Sequence, residues 1–340
     1  MGSGEGSDRQ YLQRALELAA RGEGSVEPNP MVGCVLVRRD GDGRQRVIGE
    51  GWHRRFGDRH AETEALAACG EDPAGATAYV TLEPCSHHGK QPPCADALVA
   101  ARVGRVVAAM ADPFPEVAGR GFARLRDAGI ATECGLLESE ARSLNAPYLK
   151  RLSTGLPWII AKWAMTLDGR IAAASGDSRW ISGEASRAEV HRLRGRVDAI
   201  VVGSGTVTAD DPLLTARPAG PRVASRVVLD STAQLSSDSQ LVRTVDQAPV
   251  VLVCGPQAPD AAVARLNGAG VDVRRSALAD PTARLVEVLR QLADRGATNV
   301  LIEGGQRVVG SLLDAELIDE VFAFVAPKLI GGREAPGPVG

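Results

Sequence analysis

HAETEALAACGEDPAGATAYVTLEPCSHHGKQPPC, running from His60 to Cys94, decides how this chain is read. Its first ten residues have helical spacing, which puts His60 and Glu62 in the first turn of a helix. AYVTL (78–82) reads as a strand whose end delivers Cys85, and ADALVAA, directly after Cys94, reads as the next helix. A histidine and two cysteines on strand and helix ends suit zinc and leave one tetrahedral position for water. Glu62, two residues from His60, would stand beside that water as proton carrier without binding the metal. The helix N-terminus is expected to help hold Glu62 ionised. A closed, purely structural site would need His87 or His88 as a fourth ligand, and so near a neighbour of Cys85 reaches the same ion only awkwardly.

H-x-E followed by P-C-x-x-C is the signature of zinc nucleobase deaminases. Here eight residues, Ser86 to Pro93, separate the cysteines where two are usual. Around this stretch, residues 8–21 place Leu12, Ala15, Leu16 and Ala19 on one helical face. EPNPMVGCVLV is a turn and an apolar strand, paired with a second strand at 46–51 across DGDGR. RVVAAM (105–110), GFARLRDAG, IATECG and LESEARSLN then alternate strand and helix. Such alternation indicates a layered α/β domain with a largely parallel sheet. APYLKRLSTGLP shows no helical stripe, so the domain boundary is expected near 146–156.

The alternation restarts at WIIAKWAMTLDGRIA. NVLIEGG (299–305) stops at glycines before the helix QRVVGSLLDA, and DAIVVGSG stops the same way at Gly203 and Gly205. Such strand–glycine–helix passages are where backbone amides meet phosphate oxygens. The full G-x-G-x-x-G is absent because its sixth position is Thr208, so a standard dinucleotide-binding domain is not indicated.

The chain has 340 residues, enough for two domains, with 44% hydrophobic and 24% charged residues, as in ordinary globular proteins. A net charge of −3 and 4% aromatics argue against a nucleic-acid partner. No apolar run reaches membrane-spanning length, and MGSGEGSDRQ is no signal peptide, so a cytoplasmic enzyme without a membrane partner is expected. Six cysteines are too sparse for a disulfide scaffold. Cys34, Cys69, Cys134 and Cys254 lie in apolar stretches and are expected to be small buried residues.

PNPMVGCVLV, GWHRRFGDRHAE and TLEPCSHHGKQPPC together resemble the deaminase half of the bifunctional riboflavin biosynthesis family, the diaminohydroxyphosphoribosylaminopyrimidine deaminase/reductases. The long insertion between the cysteines is the rule in that family. Gln91 departs from it, since a threonine is usual there, and is expected to be tolerated. The resemblance implies a cytidine-deaminase-like three-layer domain over 8–146 and a dihydrofolate-reductase-like α/β domain over 157–340. It implies Zn²⁺ on His60, Cys85 and Cys94, with Glu62 catalytic and Asn29, His53, His87 and Lys90 on a phosphorylated pyrimidine substrate. In the second half it implies NADPH contacts from Ala164, Trp180, Thr206, Asp210, Ser231, Gly305, Gln306, Arg307, Val308, Val309, Gly310 and Ser311. It places substrate contacts at Ser178, Arg194, Leu214, Arg217 and Glu303, with Lys162 close by. Two arginines suit a ribose phosphate, which takes bidentate cations. Lys162, Asp168 and Glu303 are the candidate proton donors for reduction, and a homodimer is expected. Family members continue past APKLIGG with a further strand or two. The last reductase strands are therefore expected to be missing, and a monofunctional deaminase is the rival reading. A cytidine- or tRNA-type deaminase and a zinc-stabilised binding module are further rivals.

Overall fold

The computed structural model describes residues 3–89, 91–177 and 181–340. The expected contacts Lys90, Ser178 and Trp180 lie outside the described residues. The chain divides into two compact units, Met1–Ser153 and Thr154–Gly340.

The first unit runs α1 (Ser3–Ala19), β1 (Gly33–Arg39), β2 (Gln45–Trp52), α2 (Ala61–Ala67), β3 (Thr77–Val80) and α3 (Cys94–Ala100). It continues through β4 (Arg105–Ala108), α4 (Arg120–Asp127), β5 (Ala131–Cys134), α5 (Glu138–Leu144) and α6 (Ala146–Thr154). Its sheet has the order β2-β1-β3-β4-β5. β1 is antiparallel to both its neighbours, while β3, β4 and β5 run parallel. Because side chains alternate across a strand, each strand feeds two cores. Val35, Val37, Tyr79 and Val107 pack against Leu12, Leu16 and Ala141 of α1 and α5. Cys34, Leu36, Val80 and Val106 face Ala65, Leu98 and Leu125 of α2, α3 and α4. The result is three layers. α2 lies almost on the backbone of β2: a Cβ on Gly51 would sit 2.3 Å from the Ala65 nitrogen. Glycine there lets the helix that carries Glu62 press onto the sheet.

Two readings differ from the structure. Residues 146–154, where no helical stripe is read, form a helix, and the two units divide at its end. Pro147 sits in its first turn, where a missing N–H costs nothing, and Leu149 packs into the α1–β1 core. Cys134 is exposed rather than buried, and Cys69 only partly covered, because β5 is an edge strand and Cys69 follows the end of α2.

The second unit contains β6 (Trp158–Thr166), α7 (Glu184–Arg194), β7 (Ala199–Gly203), α8 (Ser204–Asp210), β8 (Ser225–Leu229) and α9 (Gln240–Arg243). There follow β9 (Val250–Cys254), α10 (Asp260–Gly268), β10 (Asp272–Arg275), α11 (Pro281–Asp294), β11 (Asn299–Ile302), α12 (Gln306–Asp314) and β12 (Glu320–Ala326). The sheet order is β10-β9-β8-β7-β11-β6-β12, with every ladder parallel. Parallel strands buried on both faces read as continuous apolar runs, as VVLVC and AIVV do. One face packs on Leu193, Leu241 and Leu266, the other on Leu285, Leu289 and Leu312. No helix among the described residues is long and apolar enough to cross a membrane.

Candidate active sites

In the first unit three chain segments converge. His60 is the N-cap of α2, and its carbonyl accepts from the Glu64 amide at 2.9 Å. Cys85 lies beyond the carboxyl end of β3, and Cys94 opens α3. The His60 Nδ1 stands 3.6 Å from the Cys85 Sγ and 3.3 Å from the Cys94 Sγ. Ordinary zinc bond lengths in a tetrahedron separate nitrogen and sulfur ligands by about 3.5 Å, so the donor set fits that ion. Among the described residues it is the one group of His, Cys, Asp or Glu ligand atoms gathered closely enough. The Cys94 thiol donates to Cys85 and lowers its pKa to about 4, with His60 adding to the effect. One sulfur thus already carries the charge that a cation needs.

Glu62, in the first turn of α2, is 3% exposed. Burial, reinforced by negative Cys85, raises its carboxyl to about 7. Desolvation therefore outweighs the helix N-terminus, contrary to the expectation of a plainly ionised side chain. A divalent cation held by the neighbouring ligands would supply the attraction that favours the anion.

A cleft of about 330 Å³ opens onto these groups. Within it the Asn29 Nδ2 lies 3.2 Å from the His53 Nε2, while the His53 Nδ1 donates to the Arg59 carbonyl at 3.0 Å. That second bond fixes the tautomer and leaves Nε2 as acceptor for Asn29. His87 rests on Phe114 with its Nδ1 buried and unpartnered. Gln91, the departure from the family pattern, ties its loop down by donating to the Gly57 carbonyl at 3.1 Å. The structure thus joins Asn29, His53, His60, Glu62, Cys85 and His87 in one cavity.

Sequence reasoning missed three neighbours. Glu83 is buried and accepts from the amides of Asp112, Gly119, Gly121 and Phe122, pinning the loop after β4 against the cleft. Asp112 lines the cleft and takes the Tyr148 hydroxyl at 3.0 Å. Its carboxyl is raised, first by burial. The available signal was position: ligands gather outside the carboxyl ends of parallel strands, and Asp112 follows β4.

In the second unit Arg194, at the end of α7, grips Glu303 with two bonds, Nε to Oε1 at 2.5 Å and Nη2 to Oε2 at 2.8 Å. The Lys162 Nζ stands 3.9 Å from the same carboxylate. Glu303 is held below the usual carboxylate range because Arg194 and Lys162 overcome the penalty of burial. Arg217 donates to the Thr215 hydroxyl and is exposed. Leu214 packs its side chain into the core. Asp168 accepts from the Thr166 hydroxyl and from the amides of Ile330 and Gly331, which hold its carboxyl at about 2.

A second cleft, of about 580 Å³, crosses the carboxyl ends of β7, β8 and β11. Thr206, Asp210, Ser231, Gly305, Gln306, Arg307, Val308 and Ser311 line it. Val309 and Gly310 turn into the interior, and Ala164 lies on β6 away from the lining. Gly304, at φ 123°, adopts a backbone open to glycine, and a Cβ there would press the Thr206 hydroxyl at 3.2 Å. Bare backbone beside the start of α12 suits dinucleotide phosphates, so this lining fits NADPH.

Two family models match. Residues 5–110 match the cytidine and deoxycytidylate deaminase zinc-binding region, and 157–340 match the RibD C-terminal domain. The chain is 42% identical over 343 residues to the riboflavin biosynthesis protein RibD of Escherichia coli K12, covering 95% of this chain and 89% of that protein. The chain belongs to the RibD family. The RibD of Actinobacillus pleuropneumoniae is 39% identical over 334 residues, 98% of this chain and 87% of its own length. The solved Acinetobacter baumannii RibD superposes with a TM-score of 0.85 at 39% identity, covering 98% of this chain and 90% of that one. A Thermotoga maritima structure, named as a diaminohydroxyphosphoribosylaminopyrimidine deaminase/5-amino-6-(5-phosphoribosylamino)uracil reductase, gives 0.83 at 37%, with 96% and 89% covered. As a RibD, the chain is a bifunctional enzyme of riboflavin biosynthesis, a zinc-dependent deaminase joined to an NADPH-dependent reductase. Its folds are those of the family, cytidine-deaminase-like and then dihydrofolate-reductase-like.

Proposed function

We propose that the first unit hydrolytically deaminates 2,5-diamino-6-ribosylamino-4(3H)-pyrimidinone 5′-phosphate and that the second reduces the ribosyl chain of the product to ribityl. The observation that carries this reading is Glu62, buried beside a His60–Cys85–Cys94 donor set in one cleft. Deamination is assigned to residues 8–146 together with α6, whose Tyr148 and Leu152 line that cleft, and reduction to 157–340. When bound to His60, Cys85 and Cys94, zinc supplies a Lewis acid that makes water a nucleophile near neutral pH. Glu62 would take a proton from the water whose oxygen adds to the amino-bearing ring carbon and deliver it to the amino nitrogen, whose bond to that carbon then breaks to release ammonia. Asn29, oriented by His53, hydrogen-bonds the pyrimidine edge. His87, with an unpartnered Nδ1, faces the substrate phosphate.

In the reductase, NADPH supplies the hydride. Thr206, Asp210, Ser231, Gly305, Gln306, Arg307, Val308 and Ser311, which line the second cleft, hold it. Arg217, exposed beside the Arg194–Glu303 pair, and the backbone of Leu214 receive the ribose phosphate substrate. Glu303 and Asp168 are held ionised by their partners, which leaves Lys162 as the proton donor. The test is a coupled assay on the 340-residue chain: ammonia release from the diaminopyrimidine, then loss of NADPH absorbance. No ammonia with zinc present sinks the deaminase reading, and ammonia without NADPH consumption leaves a monofunctional deaminase.

Free cysteines throughout, two of them in the donor set, support a reducing cytoplasmic setting. We also propose a homodimer through the second unit. β12 is an edge strand whose Val321 and Val325 are 46% and 51% exposed, and unpaired apolar edges recruit a partner strand. Val325→Lys is expected to shift sedimentation velocity from dimer to monomer, and an unchanged dimer places the interface elsewhere.

A further inference from the structure

Arg284, in the first turn of α11, carries a charge that the rest of the fold does not answer. The residue is only 6% exposed and lines the second cleft. Its Nη1 donates to the carbonyls of Leu278 at 2.9 Å and Ala279 at 2.8 Å, and its Nη2 to the Ser231 hydroxyl. These are neutral acceptors, and among the described residues no carboxylate pairs with it. A guanidinium has five N–H donors, so Nε–H and one Nη2–H remain for an anion. The chain also makes room for the group: a Cβ on Gly255 would lie 2.9 Å from the Arg284 Nη1. A buried cation without a counter-charge is costly unless an anion completes it. Arg226, the other buried arginine among the described residues, differs. It does not line the cleft, and Leu213, Thr244 and Ala248 surround both its terminal nitrogens.

The strand order says which part of a dinucleotide reaches Arg284. Lys162 on β6 and Glu303 after β11 mark the reducing end, on one side of β7. Ser231 follows β8, and Val253 on β9 lines the cleft beside them, on the other side. With phosphates on the glycines after β7 and β11, the adenosine half extends over β8 and β9. Asp230 also lines that end, but its two oxygens already take the amides of Thr232 and Leu235, so it caps a turn and does not claim a ribose hydroxyl. We propose that Arg284, braced by Ser231, binds the 2′-phosphate of the adenosine ribose and makes this reductase select NADPH over NADH. The proposal rests on the cofactor reading of the second cleft.

Fluorescence titration of the zinc-loaded full chain with each dinucleotide tests it. Arg284→Met is expected to weaken NADPH binding by roughly 10- to 100-fold, the worth of a charge-assisted hydrogen bond, and to leave NADH binding unchanged. Arg284→Lys should recover part of the loss. On the unaltered chain, 2′-AMP should displace NADPH and 5′-AMP should do so less well, which needs no variant to fold. Equal loss of both dinucleotides in Arg284→Met, or no preference for 2′-AMP, overturns the assignment. If the unaltered chain binds neither dinucleotide, the cofactor reading of the cleft has failed first.

Discussion

Glu62→Gln is expected to cut ammonia release by at least about 10²–10⁴-fold, the usual worth of general acid–base catalysis, while the chain still takes up zinc. Glutamine keeps the volume and the first-turn position of Glu62 in α2 but cannot carry a proton. The ligands come from other positions, the N-cap of α2, the loop after β3 and the start of α3, so removing the carboxylate leaves the donor set intact. Reduction of pre-deaminated substrate should be unaffected, because Lys162, Arg194 and Glu303 belong to the other unit. Zinc content, ammonia release and NADPH oxidation measured on one preparation separate the outcomes. Loss of zinc in the variant would recast Glu62 as a structural support, and activity within tenfold of the unaltered enzyme would remove it from the mechanism.

Much of the first site was legible because its chemistry is local in sequence. His60 and Glu62 share one helical turn, and Cys85 and Cys94 flank one loop, so spacing alone brought the ligands near one another. What could not be read was long-range. Asp112, in the loop after β4, and Tyr148, in α6, meet across 36 residues. The α6 helix itself was hidden, because its helix-initiating Pro147 and the glycine beyond it look like linker punctuation when nothing shows what Leu149 packs against. Cys134 misled for a similar reason: ATEC has a strand's composition, but which strands lie at a sheet edge is a property of topology.

The second site shows the same division. The glycines after β7 and β11 marked strand-to-helix passages, and the structure has a helix starting after each. The Arg194–Glu303 pair spans 109 residues, and no pattern in either segment predicts that a helix end and a strand end will meet. The partners of Asp168 were equally out of reach, since Ile330 and Gly331 lie 162 and 163 residues away in sequence. Its hydroxyl and amide partners stabilise the anion, which removes it from the proton donors that composition alone had left open.

Glu303→Gln is expected to destabilise the second unit by about 3–5 kcal/mol, the range for removing one partner of a buried ion pair. Only 4% of the Glu303 side chain and 13% of that of Arg194 are exposed, so water cannot take over the role of the lost charge. Most of the loss is the cost of leaving Arg194 buried and unanswered, not the net worth of the pair. The double variant Arg194→Met/Glu303→Leu should therefore recover much of it. The pH dependence has a definite sign. Glu303 is held below its ordinary value in the folded chain, so its contribution is present above about pH 4.3, the unfolded carboxyl value. That contribution fades as pH falls through the folded value. Urea unfolding of the unaltered chain and Glu303→Gln should accordingly differ most at neutral pH and converge in acid. A gap that stays constant with pH would mean that shape, not charge, holds Arg194 in place. A gap under about 1 kcal/mol at neutral pH, the level of an exposed pair, would mean that the pair is open to solvent.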